Sequence, residues 1–393
     1  MDLKTLKRID RTLGHIFIFA LRPFALLLGK LFRRDHRLSV VRHIVVLKIL
    51  GGGSLIIALP ALLALRWKFP NARMSLVCSA GVKAYANLMP LFDDVIVIET
   101  NGVLQVARSG LRAICRTFGA DCIIDLEVHS KLSTVFCLLT CARNRVGYYM
   151  EVNHWRLGLG THFLFLNRSS PMATAYAQAA RAFEAEIDIK KSVEWFRSKN
   201  EIAWERPPLS GESVLALAPY CSDLGREREF TAIEWAQVLR EKIGTNPTSL
   251  ILLGDPSRSK EATKLEEVIE ERLANCKVLN LVGKTSLQEV VGILRSVDEL
   301  ITIDSGVNHI ARLISSEVTS YWGPTDPTTR LLEIPGLNEK VIYKKIFCSP
   351  CVHHIDFAPC MGNNICMKQH LELVDISEHD KQGWSIDRDT PLL

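Results

Sequence analysis

At 393 residues the chain is too long for one ordinary core and suits two α/β domains with additions. Hydrophobic residues at 48% and charged residues at 23% exclude a disordered chain, and the lack of any internal repeat excludes a solenoid. The net charge of +5 is unevenly placed, because residues 1–43 hold ten basic residues against three acidic ones and leave the rest slightly acidic. Basic charge on a terminal arm beside apolar residues, rather than on a folded face with interleaved aromatics, argues against a nucleic-acid partner.

Residues 1–42 form that arm. Ile16-Phe17-Ile18-Phe19-Ala20-Leu21 is followed by Arg22-Pro23 and then by Phe24-Ala25-Leu26-Leu27-Leu28, with basic residues at both ends. A spanning helix needs roughly 20 mostly apolar residues, and Arg22 with Pro23 would fall near its middle. Leu31-Phe32-Arg33-Arg34 is not a signal-peptidase site. The composition fits an amphipathic segment drawn to anionic lipid, with a true span and a plain docking helix as the alternatives.

Residues 43–190 read as a first α/β domain. It opens on a buried strand, His43 to Leu50, then a Gly51-Gly52-Gly53 turn with Ser54 as the expected cap of an apolar helix reaching Leu65. Strands follow near Met74–Cys78, Asp94–Ile98 and Cys122–Leu126. The polar stretch 191–212, with Pro207-Pro208, has the composition of a linker. Residues 213–345 read as a second α/β domain, with strands at Val214–Ala218, Ser249–Leu253, Cys276–Leu279, Glu299–Ile303 and Val318–Trp322. Strands alternating with helices predict two parallel sheets, whose carboxyl ends face a shared cleft. Residues 346–393 are a Cys-rich segment and tail.

The strongest chemical signal is Ile303-Asp304-Ser305-Gly306-Val307-Asn308-His309. A strand that ends at Ile303 and a helix that starts near Ser305 put Asp304 at the strand's carboxyl end. The Ser305, Gly306 and Val307 amides then point out of the helix N-terminus, a ready phosphate site. Gly306 lets a diphosphate approach the backbone, and His309 lies on the same first turn. Gly323-Pro324-Thr325-Asp326-Pro327 closes the next strand with Thr325 and Asp326.

The run from Asp304 to Pro327 resembles the donor-site signature of the family 9 glycosyltransferases, the heptosyltransferases of lipopolysaccharide core assembly. The likeness extends over roughly residues 43–370 through Lys48–Leu62, Phe69–Ala72 and Cys122–Tyr148. It implies a GT-B fold, two Rossmann-like domains across a cleft, carrying an inverting glycosyltransferase with no metal required for catalysis. ADP-heptose or a similar nucleotide-diphosphate sugar would be the donor. A lipid-linked saccharide would be the acceptor, at the cytoplasmic face of the bacterial inner membrane. On the donor side the resemblance points to Ser222, Arg226 and Arg228 together with Asp304, Ser305, Gly306, Val307, His309, Thr325 and Asp326.

Departures from the family pattern sharpen the expectations. Ser54 stands where the family usually has an aspartate as general base, and a serine hydroxyl cannot accept a proton unaided. Glu127, at a strand end where the family commonly has Gln, is the first replacement, with Asp125 and His129 behind it. Arg228 occupies the region of a family lysine and is the expected neutraliser of the leaving diphosphate. A protein with this fold and no competent base would be an inactive membrane scaffold. An NAD-dependent oxidoreductase is disfavoured, because Gly51-Gly52-Gly53-Ser54 lacks the dinucleotide spacing. Cys348, Cys351, Cys360 and Cys366 could form a zinc site, a set of reduced thiols or disulfides.

Overall fold

The computed structural model describes residues 3–32, 34–39, 41–205, 213–222, 225–314, 317–352, 354–355, 358 and 360–371. Pro207-Pro208, Gly211, His353 and everything beyond residue 371 lie outside the described residues.

After helix α1 (Leu3–Phe32) the first domain runs β1 (His43–Lys48), α2 (Gly52–Ile57), α3 (Leu59–Lys68), β2 (Arg73–Ser79), α4 (Ala80–Ala86) and β3 (Asp94–Ile98). It continues through α5 (Val103–Thr117), β4 (Cys122–Asp125), α6 (Lys131–Leu139), β5 (Asn144–Tyr149), β6 (His162–Phe165), α7 (Met172–Arg181) and α8 (Ile189–Lys199). Its six strands are all parallel, in the order β3-β2-β1-β4-β5-β6. That is the Rossmann order, with its reversal between β1 and β4. Strand β1 is central and apolar on both faces, as a doubly covered parallel strand must be. Ile44 and Val46 enter one core cluster, and Val45 and Leu47 enter the cluster beneath α5 and α6.

The second domain runs β7 (Ser213–Ala218), α9 (Ala232–Ile243), β8 (Thr248–Leu252), α10 (Ser259–Arg272), β9 (Cys276–Asn280), α11 (Leu287–Ser296), β10 (Glu299–Ile303) and α12 (Gly306–Ile314). It ends with β11 (Glu317–Trp322), α13 (Pro327–Arg330), β12 (Glu339–Tyr343) and the short α14 (Ile365–Lys368). The order β12-β11-β10-β7-β8-β9 is the same winding, so its reversal lies between β7 and β10. The chain is α/β with two such domains, as the sequence pattern predicts.

Two expectations, the linker and the Ser54 cap, need correction. The first half of the stretch read as linker is helix α8, which packs on α3 and α12 and donates Arg197 Nε to the Leu313 carbonyl at 2.9 Å. Its polar composition belongs to its solvent face, while Val193 and Phe196 are buried. Helix α1 runs unbroken through Pro23, which is exposed. The amide that Pro23 lacks would face outward, where the loss is cheapest. Ser54 caps nothing: Gly51 is the N-cap of α2, at φ 79°, and Ser54 is the third helical residue. A left-handed N-cap position is one that glycine adopts without strain.

Candidate active site

In doubly wound sheets, ligands bind outside the carboxyl ends of the strands where the order reverses. Each sheet here closes that point with an ion pair. In the first, Lys48 ends β1 and Glu127 lies two residues beyond β4. Glu127 Oε1 accepts from Lys48 Nζ at 3.2 Å and from the amides of Ile49 and Leu50 at 2.8 and 2.9 Å. The carboxylate therefore holds the entry to the glycine turn. Burial works against a charge on Lys48, but the charge and hydrogen bond of Glu127 outweigh it and raise its pKa. Among the described residues, Glu127 Oε2 accepts no hydrogen bond, and the side chain keeps 12% exposure.

Asp125 does not face the cleft. It is buried, accepts from Ser133 Oγ and the Glu127 amide at 2.9 Å each, and pairs with Arg156 Nη2 at 3.2 Å. Burial pushes its pKa up to about 6, against the pull of Arg156. Arg156 also donates to the Glu127 and Ser130 carbonyls, so this pair braces the Glu127 segment from behind. His129 is exposed, in the bend that follows Glu127.

At the second reversal, Asp304 follows β10. Arg228 Nη1 donates to its Oδ2 at 3.0 Å and to its carbonyl at 2.8 Å, while Arg228 Nε donates to the Gly225 carbonyl at 2.9 Å. Burial would strip the charge from Arg228, and Asp304 more than restores it. Nε and Nη1 of Arg228 are thus engaged by Gly225 and Asp304. Asp326 is likewise a cap: its Oδ1 accepts from the Thr328 amide and hydroxyl at 2.9 and 2.7 Å. Ser305 Oγ accepts from the Asn308 amide at 3.3 Å inside the first turn of α12. Ser222 and Arg226 are exposed on the loop after β7. The buried Thr325 hydroxyl and both polar side-chain atoms of Asn308 have no partner among the described residues. Each such group costs about 1–3 kcal/mol, so the turns behind α12 carry unmet polar demand.

The two sheets meet at these turns. A Cβ added to Gly53 would stand 3.0 Å from His309 Cδ2 and 3.2 Å from Gly306 Cα. One added to Gly306 would stand 2.0 Å from the Tyr85 hydroxyl, and one on Gly52 2.0 Å from the Tyr85 ring. The glycine turn of the first domain therefore abuts the N-terminus of α12, with Tyr85 of α4 between them. Burial lifts Tyr85 to about 12 and keeps the phenol neutral.

A family model for glycosyltransferase family 9 (heptosyltransferase) matches residues 111–361. The chain belongs to glycosyltransferase family 9. Among curated relatives, lipooligosaccharide heptosyltransferase 2 of Haemophilus influenzae is 26% identical over 157 residues, 40% of this chain and 41% of that protein. The Campylobacter jejuni protein of the same name is 23% identical over 171 residues, 43% of this chain and 52% of that one. The matched stretches thus span about half of these relatives or less. Among solved structures, a family 9 glycosyltransferase of Veillonella parvula aligns at TM-score 0.59 with 17% identity, covering 79% of this chain and 88% of that one. Heptosyltransferase II of Escherichia coli aligns at 0.56 with 18% identity, covering 84% and 99%. These likenesses establish the GT-B fold.

In this family 9 chain, sequence reasoning overlooked three cleft residues: Lys48, Tyr85 and Arg330. Lys48 as the charged end of an apolar strand was the one legible signal. Arg330 ends α13, which packs on α7 across the domain boundary. Among the described residues it makes no hydrogen bond or ion pair. Burial lowers its pKa, while Asp304 and Tyr176 pull it up.

His309 is neutral for a physical reason. Burial brings its pKa down to about 4, despite Asp304 Oδ1 at 4.0 Å, and Arg312, Arg330 and Arg228 add to the effect. The folded state thus resists a proton that the unfolded chain takes at 6.5. This contribution is full above pH 6.5 and is lost as pH falls toward 4. The displacement is worth about 3 kcal/mol at 1.36 per unit. Denaturant titrations of wild type and His309→Gln should show their stability difference shrinking by that order between pH 7 and 4. Parallel curves would place the imidazole in an environment like water.

The four late cysteines converge. Cys348, Cys351, Cys360 and Cys366 line one small cavity with Pro324, Phe347 and Ile365. Burial, with the other three thiols nearby, pushes Cys366 up to about 12. Among the described residues, no three His, Cys, Asp or Glu stand at metal-holding distances.

Proposed function

We propose that the chain transfers a sugar, heptose or a close relative, from a nucleoside diphosphate to a lipid-linked saccharide of lipopolysaccharide assembly. The observation that carries this reading is the apposition of two strand-end sites, Lys48–Glu127 and Arg228–Asp304, at a contact formed by the glycine turn, Tyr85 and the N-terminus of α12. One supplies a part-exposed carboxylate oxygen, and the other a helix N-terminus next to an unpartnered guanidinium. An E. coli heptosyltransferase of the same fold was solved with ADP and with a fluorinated ADP-heptose, which makes ADP-heptose the first donor to try.

In this mechanism the diphosphate rests on the N-terminus of α12 at Gly306 and Val307, with Ser222 and Arg226 at the rim of the loop after β7. Arg228 fixes Asp304, and so the start of α12. The acceptor hydroxyl attacks the anomeric carbon from the side opposite the diphosphate. A new C–O bond forms as the bond to the leaving phosphate oxygen breaks, and the hydroxyl proton passes to Glu127 Oε2. Negative charge collects on the nucleoside diphosphate, where the α12 amides and Arg330 receive it. The anomeric configuration inverts.

The test supplies purified protein with ADP-heptose and, separately, UDP- and GDP-sugars, together with a lipid-linked core acceptor. Mass spectrometry should show the acceptor gaining one sugar from one donor, and NMR should show the inverted anomer. Nucleotide binding with no transfer from any donor would establish the inactive scaffold instead.

No step above uses a metal. The four clustered thiols have the donor chemistry of a structural zinc site, since soft thiolates favour that ion. If the thiols close on zinc, elemental analysis finds about one zinc per chain, lost in Cys348→Ser/Cys351→Ser with a lower Tm. Metal-free protein with an unchanged Tm would make the cluster four packed thiols.

A further inference from the structure

Helix α1 is docked along the first domain by a single inward stripe. Gly14 and Ile18 are buried, Leu21 and Ala25 half-buried, and they meet Val135 and Leu138 of α6 with Trp155 and Leu159 of the β5–β6 connection. Gly14 packs so closely that a Cβ there would stand 2.5 Å from Lys131 Cβ. Asp10 fixes the register: its carboxylate accepts from the Ser130 hydroxyl at 2.6 Å and from the Lys131 and Leu132 amides at 3.0 and 2.8 Å. Further along, Arg34 donates to the Cys141 carbonyl. So α1 runs parallel to α6, and its N-terminal end lies where α6 begins, at the cleft end of the domain.

The outer stripe of α1 is strongly apolar, and no described residue covers it. Phe19 is 80% exposed, Leu31 72% and Phe24 66%, with Ile16 and Leu27 close behind. Arg8–Leu31 is long and apolar enough to cross a membrane, yet one face is already committed to α6 and the only acid in α1, Asp10, is used in a cap. Exposed basic residues interrupt the apolar stripe: Arg8, Arg11, Arg22 and Lys30. On the same side of the sheet, α5 packs beside α6 and repeats the pattern. Its inward residues are Ser109, Ala113 and Thr117, and its outward ones are Leu104 (83% exposed), Arg108, Leu111 and Arg112. It carries no acid. An apolar surface studded with cations, with no acid among the outward residues named on α1 and α5, is complementary to an anionic bilayer, which takes the apolar groups below its headgroups and pairs the cations with them.

We propose that α1 and α5 together form a docking face on which the first domain lies flat against an anionic lipid surface, with the cleft end held at the membrane. The face spans two helices about 80 residues apart in the chain, so it is a property of the fold and not of the arm alone. Its use in catalysis rests on the lipid-linked acceptor proposed above, because docking would present headgroup-attached sugar to the Glu127 side of the cleft. Its existence does not.

The experiment uses the full chain, without donor or acceptor, and cosedimentation with vesicles of mixed phosphatidylglycerol and phosphatidylcholine. Binding should be at least about tenfold weaker on pure phosphatidylcholine and should fall with added salt. Phe19→Asp/Leu27→Asp should abolish it, and Arg108→Glu/Arg112→Glu in α5 should weaken it several-fold, both variants keeping wild-type circular dichroism. Four outcomes would overturn the proposal. They are equal binding to neutral vesicles, an α5 variant that binds like wild type, protease protection across the vesicle wall (a span), or loss of a dimer in the α1 variant without lipid binding (a second copy).

Discussion

Replacing Glu127 by Gln should lower turnover by about 100-fold or more while nucleotide affinity stays close to wild type, the usual scale for loss of a general base. The structure makes this substitution less simple than it looks. Glu127 Oε1 carries Lys48 and two backbone amides, so the glutamine also leaves a buried ammonium without its counter-charge. Breaking one half of such a pair costs about 3–5 kcal/mol, and disorder of the glycine turn would by itself lower activity. The double variant Lys48→Met/Glu127→Gln separates the two effects. With both charges gone, no buried charge is left unpaired and most of the stability should return. If Oε2 takes the acceptor proton, the double variant is stable and still at least about 100-fold slow. If Glu127 only holds the turn, activity returns along with stability, and the base must be sought elsewhere. Asp125 would be a poor successor, because Arg156, Ser133 and the Glu127 amide already occupy it.

What could be read in advance followed the physics of each segment. The central strands are apolar on both faces and bounded by Gly, Pro or acids, so β1, β4, β7 and β10 and their carboxyl ends were legible with the residues that project from them. The edge strands β6 and β12 were not, because they are half exposed and their apolar runs are only three residues long. Residue type gave Glu127 and Asp304 as candidates, but not their partners. Lys48 lies 79 positions from Glu127 and Arg228 lies 76 from Asp304, and only the strand order brings each pair together. The charged loop Gly225–Glu229 looked like a solvated phosphate binder. It is instead tied down at Arg228 by Asp304 and at Glu229 by Arg258. Local pattern cannot distinguish a cation aimed at a ligand from one aimed at a carboxylate distant in the chain.

Arg330 and Arg228 provide the sharpest contrast on the donor side, because Arg228 is paired with Asp304 and Arg330 has no partner among the described residues. Arg330→Ala should raise the Kd for nucleoside diphosphate about 10- to 100-fold, the worth of one charge-assisted hydrogen bond, and leave the affinity for the bare nucleoside unchanged. Turnover should fall as well, since charge on the departing diphosphate grows toward the transition state. Arg330→Lys should recover part of both, because it keeps the charge and loses the planar fork. Thermal stability should hold or rise, since the variant removes a half-buried cation that burial disfavours and no described residue satisfies. Arg228→Ala should behave in the opposite way. It takes the arginine away from the buried Asp304 carboxylate, so unfolding should become easier by about 3–5 kcal/mol, with donor binding lost through a displaced α12. The two arginines are thus told apart by melting and titration together. Weaker diphosphate binding at undiminished Tm marks the residue that meets the ligand. If Arg330→Ala instead melts early and binds nucleotide normally, Arg330 belongs to the α13–α7 contact, and the diphosphate must rely on the α12 amides and Arg226.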